Sequence, residues 1–429
     1  MVNFLLVETI GFIFLILLFL GVPIFIDISI AAMIGILLGT HLNLFVIIKT
    51  IIAGLDSFTL LAVPGFIFAG LLMGEGGVTN KLVNFAESLV GHFRGGLAHV
   101  NVITSMIMAG VSGVAISDAA STSAVFIPAM VKRGYPKDFC AAVTAASSTI
   151  GPIIPPSSMF IIYGAITGVS VGKLFAGGFI PGVLMGIFQI IVCGIIAKQR
   201  NFPIGEKANF KKILRTTKDS FFAILMPFLI IGGLVSGIFT PTEAAAIAVF
   251  LAVIVGFLVY RELNLTNFLR ILKDTAVLSG SVLILVGAAN ALGWMVAYLR
   301  VSQFLADWVM SISQNKIVIL LLINLILLVL GCLMDIIAVL VIVTPVIMPL
   351  IYSLGIDPVH FGVVYVLNLM IGLITPPVGL VMFVTCSIAD VKISDYVKEI
   401  WPFLIALIIL LIIITLVPEI VLWLPNLMF

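Results

Sequence analysis

Four interruptions of an otherwise apolar sequence carry the groups that could do chemistry. The first reads AGVSGVAISDAAST over 109–122, where two glycines permit a non-helical turn and Ser112, Ser117, Asp118, Ser121 and Thr122 offer oxygen ligands. The second, GCLMD over 331–335, brings Asp335. The other two are GPIIPPSS (151–158) and GLITPP (372–377), each a Gly-x-x-x-Pro-Pro break. Proline has no N–H and clashes with the preceding turn, so each pair frees carbonyls that must find another partner away from water. A Na⁺ held by carbonyl and hydroxyl oxygens is one such partner. A plain kink, with its carbonyls satisfied by Ser157, Ser158 or neighbouring helices, is the other. A single proline favours the kink; two breaks at matching positions favour the ion.

A carboxylate at the middle of a bilayer costs about 2.5–3.5 kcal/mol on insertion scales, which makes Asp118 and Asp335 candidate ion ligands. Either could instead cap the helix that follows it, for about 1 kcal/mol, and the two roles are compatible. Asp27 and Glu243 share a repeat position after a proline near a helix start, so capping is expected there. Thr344, Asn368, Thr385 and Ser387 are polar groups in apolar segments, suited to solute or ion contacts or to ordinary interhelical hydrogen bonds. Cys140, Cys193, Cys332 and Cys386 lie singly in apolar runs, with no C-x-x-C spacing and no nearby His to complete a metal site. His41, His92, His99 and His360 fall near segment ends and carry no assigned chemistry.

The elements that must position these groups are membrane spans. Of 429 residues 62% are hydrophobic and 9% charged, which excludes a water-soluble globule, and at about 20 residues per span supplies about twelve hydrophobic segments. A net charge of +2, dispersed along the chain, excludes a nucleic-acid surface. Apolar runs bounded by charge or Gly/Pro clusters predict spans near 4–21, 24–40, 57–74, 138–168, 174–197, 220–239, 242–260, 276–298, 358–388 and 401–425. The first run lacks a basic leader region and a small-residue cleavage site, so it reads as a retained span. Stretches 97–131 and 317–352 carry Gly, Ser or Asp at their middles and read as re-entrant hairpins. Segments 41–56 and 77–94 read as interfacial helices.

An offset of about 221 residues superimposes the halves: Gly110 meets Gly331, Pro128 meets Pro349, and GPIIPP meets GLITPP, with a one-residue slip before Val169 meets Val391. The expected fold is an all-α polytopic membrane protein of two repeats, 1–197 and 220–429, joined by a basic linker 198–219. Each repeat has about five crossings and one hairpin, with 138–168 and 358–388 as broken helices. Five is odd, so the repeats must be inverted. The positive-inside rule places the linker in the cytoplasm, with Lys198, Arg200, Lys207, Lys211, Lys212, Arg215 and Lys218, and sends both termini to the periplasm. Of the 21 basic residues 17 then lie inside, leaving Lys49, Lys173, Arg300 and Lys316 outside.

The run SGVAISDAASTSAVFIPAMVKRGY (112–135), the GPIIPPS break (151–157) and GGFIPGVLMG (177–186) together resemble the large membrane subunit of the TRAP (tripartite ATP-independent periplasmic) transporters. The hairpin and broken-helix layout is also similar to the divalent anion/Na⁺ symporters, although their Ser-Asn-Thr tip is replaced here by Ser117-Asp118-Ala119. The resemblance implies a Na⁺-driven importer of an acidic solute, of the sialic acid or C4-dicarboxylate type, in the bacterial inner membrane. It implies a small four-helix membrane subunit and a periplasmic substrate-binding protein as partners, on separate polypeptides. It also implies an elevator motion in which 95–170 and 315–390 move against the remaining spans.

On that reading one Na⁺ is held by Ser112, Gly113 and Asp118 with Gly151, Ile154 and Pro155, and a second by Gly331 and Asp335 with Gly372, Thr375 and Pro376. The solute is expected between them at Ser117, Ser121, Thr122, Pro156, Ser157 and Thr385, where helix N-termini favour anions. No organic cofactor, transition metal or enzymatic activity is expected. An intramembrane aspartyl protease would pair Asp118 with Asp335, but neither has a G-x-G-D context and the Pro-Pro breaks would be idle. A self-contained ATP-driven permease is disfavoured by the lack of G-x-x-x-x-G-K-[ST]. A channel, or an anion/Na⁺ symporter without a binding protein, is the alternative.

Overall fold

The computed structural model describes residues 4–40, 42–205, 209–301, 303–304, 309 and 315–429, and only the backbone of 4–7, 19, 111, 112 and 235. His41, Lys207 and the side chain of Ser112 lie outside the described residues. A chain this apolar must satisfy its backbone internally, and helices do so within one segment. The described residues are helical throughout, with one isolated bridge, Arg94 to Ile204.

The first half comprises α1 (Phe4–Phe19), α2 (Ile24–Gly39), α3 (Phe45–Leu55), α4 (Ala62–Glu75), α5 (Val78–Val90), α6 (Gly96–Ser112), α7 (Ala115–Lys132), α8 (Lys137–Ser148), α9 (Ser158–Thr167) and α10 (Val171–Gln199). A short helix, α11 (Phe210–Asp219), turns by 62° into α12 (Phe221–Val235). There follow α13 (Pro241–Ile254), α14 (Leu265–Tyr298), α15 (Lys316–Leu333), α16 (Ile336–Ser353), α17 (Pro358–Gly372), α18 (Leu380–Ala389), α19 (Ile393–Leu416) and α20 (Glu419–Met428). Seven helices among the described residues are long and apolar enough to cross a bilayer, or eight with the bent pair, and further apolar helices are shorter. The protein is a multi-pass membrane protein.

The two halves keep step. Helices α7 and α16 differ by 221 at both ends, and so do the cis bonds Pro155-Pro156 and Pro376-Pro377. Both expected hairpins fall within a residue of α6–α7 and α15–α16. The span expected from 276 begins instead at Leu265, because Lys273 and Asp274 lie exposed on an unbroken helix instead of ending one. The stretch 401–425 divides, because Pro418 cannot continue α19 and α20 starts behind it.

The capping expectation divides as well. Glu243 forms a capping box with Thr240, each side chain accepting from the other's backbone N–H. Asp27 does not cap: it lies within α2, fully buried, and neither carboxylate oxygen has a hydrogen-bond partner. Pro23 takes the N-cap position, leaving Asp27 beyond the point where a side chain can reach the first N–H groups.

Buried polar clamps tie each hairpin to the broken helix beside it. In the first half Asn101 donates to Thr144 at 2.7 Å, and Ser147 donates to Asn101 at 3.1 Å while accepting from Ser105 at 3.0 Å. In the second, Asn368, the register mate of Ser147, donates to the backbone and side chain of Asn324 at 2.8 and 3.1 Å, and Asn324 donates to Thr415 at 2.9 Å. Asn368 thus makes the interhelical bond that is its commoner role.

The charged loops assigned to one face do meet. Arg133 pairs with Glu87 at 2.8 Å, Arg94 donates to Asn201 at 2.7 Å, and Arg200 forks onto Glu399 with two contacts at 2.9 Å. Lys137 lies 3.8 Å from Asp390, and Gly95 donates to the Pro203 carbonyl at 3.0 Å.

The Asn324–Asn368 clamp should be measurable by a double-mutant cycle of Asn324→Leu and Asn368→Leu. Thermal unfolding in detergent should give a coupling energy of about 0.6–2 kcal/mol. Additive effects would mean that the two side chains act independently.

Candidate functional site

At the first break, Pro155 and Pro156 cannot donate to Gly151 and Pro152, one turn earlier. Ser157 repairs one loss: its hydroxyl donates to the Pro152 carbonyl at 2.5 Å and accepts from Phe160 N–H at 3.2 Å, capping α9. The Gly151 carbonyl gets no such repair from the proline. Gly151 is also where Asp118 arrives: a Cβ built there would overlap Asp118 Oδ2. The hairpin tip turns at Gly113, with φ of +58°, and Val114, and a Cβ on Gly113 would strike the Pro156 carbonyl. Ser158 donates to the Gly113 carbonyl at 2.9 Å. Gly113, Asp118, Gly151 and Pro156 are therefore brought together, with Ile154 and Pro155 buried in the same turn. A buried carboxylate against the Gly151 backbone, at a break whose prolines withhold their donors, is the oxygen-rich kind of setting a hard cation takes.

The second break repairs itself differently. Thr375 N–H reaches Gly372 O at 3.1 Å, and Val381 and Met382 N–H groups reach Leu373 O at 3.2 and 3.4 Å. Gly372 packs on Gly331 backbone to backbone, so that a Cβ on Gly372 would lie 2.5–2.8 Å from Gly331 atoms. Val378 N–H donates to the Cys332 carbonyl at 3.1 Å. Thr375 spends its hydroxyl on Ile371 O at 2.6 Å, and Pro376 forms the cis bond.

The two aspartates are not register mates. Asp335 is the N-cap of α16, accepting from Ile337 and Ala338 N–H at 3.0 and 3.2 Å, and corresponds to Val114, the N-cap residue of α7. Asp118 sits a turn further in and corresponds to Val339.

A cavity of about 600 Å³ opens where these tips face the wall of α4 and α14. The first turns of three helices contribute to its lining: Val114 and Ser117 of α7, Ser158 of α9, and Asp335 of α16. Ser121 lines it too, 3.7 Å from where a Cβ on Gly74 of α4 would stand, and Ser281 of α14 lines it from the wall. No basic side chain is among the lining residues and Asp335 is the ionisable one, so helix N-termini, each worth about half a positive charge, are the positive groups at the cavity. Of the residues expected to hold solute, Ser117 and Ser121 line this cavity. Thr122 is buried against its own helix, donating to Asp118 O at 2.6 Å, Pro156 and Ser157 lie behind the tip, and Thr385 donates to Met382 O at 3.1 Å. Sequence reading missed Ser158 and Ser281 as lining residues; the N-terminal position of Ser158, one past the Pro-Pro-Ser cap, was the available signal. A smaller cavity of about 270 Å³ lies between Gly54, Ser57 and Asn290 on one side and Ala165 and Pro345 on the other.

A membrane protein in which two hairpin tips and the helix after the first break line a cavity against a helical wall has the architecture of a solute transporter. The fold agrees: the chain superimposes on the Alcanivorax borkumensis YdaH transporter with a TM-score of 0.62 at 16% identity, covering 89% of this chain and 90% of that one. The family described as "Tripartite ATP-independent periplasmic transporter, DctM component" matches residues 12–420, and the chain belongs to it. It is 40% identical over 411 residues to the sialic acid TRAP transporter large permease protein SiaM of Vibrio cholerae, covering 96% of each. It is 36% identical over 371 residues to the C4-dicarboxylate TRAP transporter large permease protein DctM of Pseudomonas aeruginosa, covering 86% of this chain and 87% of that one. The protein is thus a TRAP-type large permease, a transporter subunit and not an enzyme.

Gly151→Ala should force the Asp118 carboxylate aside and Gly372→Ala should part the Gly331 contact, each costing about 1–3 kcal/mol by overpacking. Lowered melting temperatures in detergent for both variants, against no lowering in a Gly280→Ala control whose Cβ would meet open space on helical backbone, are the expected result. An unaffected Gly151→Ala protein would show that the close approach of Asp118 is dispensable.

Proposed function

We propose that this permease imports an acidic organic solute across the bacterial inner membrane by Na⁺ symport, with an elevator motion of its two hairpins and broken helices against the α4 and α14 wall. The observation that carries the reading is the cavity at the seam, into which three helix N-termini turn. Those termini suit a carboxylate, and Ser117, Ser121, Ser158 and Ser281 suit its hydroxyl or carbonyl oxygens. Asp335 accepts hydrogen bonds, so a solute rich in hydroxyl or N–H groups fits beside it better than a bare dicarboxylate does. That favours an acid of the sialic type, as in the Vibrio cholerae relative, over the C4 type.

Na⁺ is a co-transported substrate in this scheme. One ion lies among Ser112, Gly113, Asp118, Gly151, Ile154 and Pro155; the other lies among Gly331, Gly372, Thr375, Pro376 and the Asp335 hairpin. The inverted repeats 1–197 and 220–429 flank the linker 198–219, which faces the cytoplasm with both termini periplasmic. A small four-helix membrane subunit and a periplasmic binding protein complete the transporter. The salt-bridged loops supply the sidedness argument, since the basic residues assigned to the cytoplasm pair with one another's neighbours across one face.

Asp335→Ala should abolish Na⁺-dependent uptake in proteoliposomes containing the small subunit and supplied with the binding protein, with expression intact. Asp335→Asn, which keeps an N-cap of equal quality, should also lose Na⁺ dependence or solute affinity if the charge matters. Normal uptake at normal Na⁺ dependence in both variants would sink the assignment. Current without any binding protein would turn the reading toward a channel.

A further inference from the structure

The basic helix α11 has no place in the transport reading, and its surroundings are unusual. At 100° per residue Phe210, Leu214 and Thr217 fall on one face and Lys211, Lys212, Arg215 and Lys218 on the other. Among the described residues the apolar face is uncovered: Phe210 is 77% exposed and Leu214 63%. The helix is seated by one edge, where Thr216 and Ser88 of α5 share a hydrogen bond at 2.8 Å, and Ser220 at its end donates to Lys81 O at 2.8 Å. It then turns by 62° into α12, whose first residues Phe221 and Phe222 are 51% and 44% exposed on a lipid-facing helix. That continuity fixes the depth of α11. A helix turned away from a span at the level where the span's lipid-facing rings begin lies at the bilayer boundary. Its four cations are opposed on the helix by one acid, Asp219, 4.0 Å from Arg215 and half-exposed.

We propose that α11 is a membrane-surface anchor that binds anionic phospholipid, with Phe210 and Leu214 in the acyl boundary and Lys211, Lys212, Arg215 and Lys218 at the headgroup phosphates. The chemistry is complementary on both faces: apolar rings and methyls meet lipid chains, and ammonium and guanidinium groups meet phosphate oxygens. The anchor also has something to hold. Its edge contact is to Ser88, and the adjoining Glu87 pairs with Arg133 at the outer end of α7. Lipid bound at α11 therefore steadies α5 and the base of the first hairpin at the membrane surface. The proposal depends on the chain's membrane-spanning character and not on which solute it carries.

The four native cysteines are buried, so single cysteines can be introduced and labelled selectively. Full-length Leu214→Cys and Arg215→Cys proteins, each carrying an environment-sensitive fluorophore, would be reconstituted in phosphatidylcholine vesicles with and without phosphatidylglycerol. The label at 214 should emit to the blue and be quenched by lipid-borne quenchers, more so with phosphatidylglycerol, while the label at 215 stays aqueous. Replacing Lys211, Lys212, Arg215 and Lys218 by Gln in the Leu214→Cys protein should abolish the difference between the two lipids. High salt should narrow that difference in the protein with its basic residues intact. A label at 214 as aqueous as that at 215 overturns the proposal. So does a blue shift without lipid quenching, which would mean a protein cover, or a lipid difference that survives both the Gln substitutions and salt.

Discussion

The bilayer offers no water to a broken backbone, and that constraint organises this molecule. A helix interrupted by Pro-Pro at depth leaves carbonyls without donors, and each must be satisfied by something brought to it. Here the break's own residues supply the donors, and they satisfy carbonyls at the tip of the neighbouring hairpin as well as their own. Ser157 bends back to Pro152, Ser158 reaches Gly113, and in the second half Val378 reaches Cys332. The glycines follow from the same need. Gly151 admits the Asp118 carboxylate, Gly113 admits the Pro156 carbonyl, and Gly331 and Gly372 admit each other. Small residues at these positions let polar backbone meet polar backbone closely enough to exclude lipid.

The clamps extend the logic outward. Because hydrocarbon gives helices no hydrophobic reason to associate, packing and interhelical hydrogen bonds must hold the hairpins to the broken helices. Asn101, Thr144 and Ser147 do this in one half and Asn324 and Asn368 in the other, where Asn324 also reaches Thr415 of α19. The polar chemistry differs between halves although the helix bounds coincide. What repeats is therefore the geometry of the contact, and the side chains that close it are interchangeable solutions.

The bounds of the hairpin helices were legible in the sequence because Gly, Pro and Asp punctuate it at fixed offsets, and these residues break helices through their own backbone chemistry. Hairpin limits came within a residue for that reason. What faced what was far less legible. Ser281 lies in an unbroken apolar helix and becomes a cavity residue only because α14 forms the opposing wall. Asp118 and Asp335 looked equivalent by type and hairpin, yet one residue caps a helix and the other enters it, a difference of phase that a four-residue shift conceals. Asp27 matched Glu243 in register but lacks the Thr at the N-cap that makes Glu243 a capping residue.

The same constraint explains how an acidic solute could be recognised without an arginine. Under the proposed elevator motion, a buried guanidinium at the seam would need a partner in every position of the cycle, since removing one partner of a buried pair leaves an uncompensated charge. Helix N-termini carry their positive end with them as fixed backbone dipoles and need no counterion when the site is empty. Asp335, bonded to the N–H groups at the start of α16, already answers part of that dipole. A cation entering with the solute would answer the carboxylate in turn. A site built from three helix ends, serines and one capping aspartate can therefore pass between filled and empty with little change in net charge, which is the condition for crossing a low-dielectric seam.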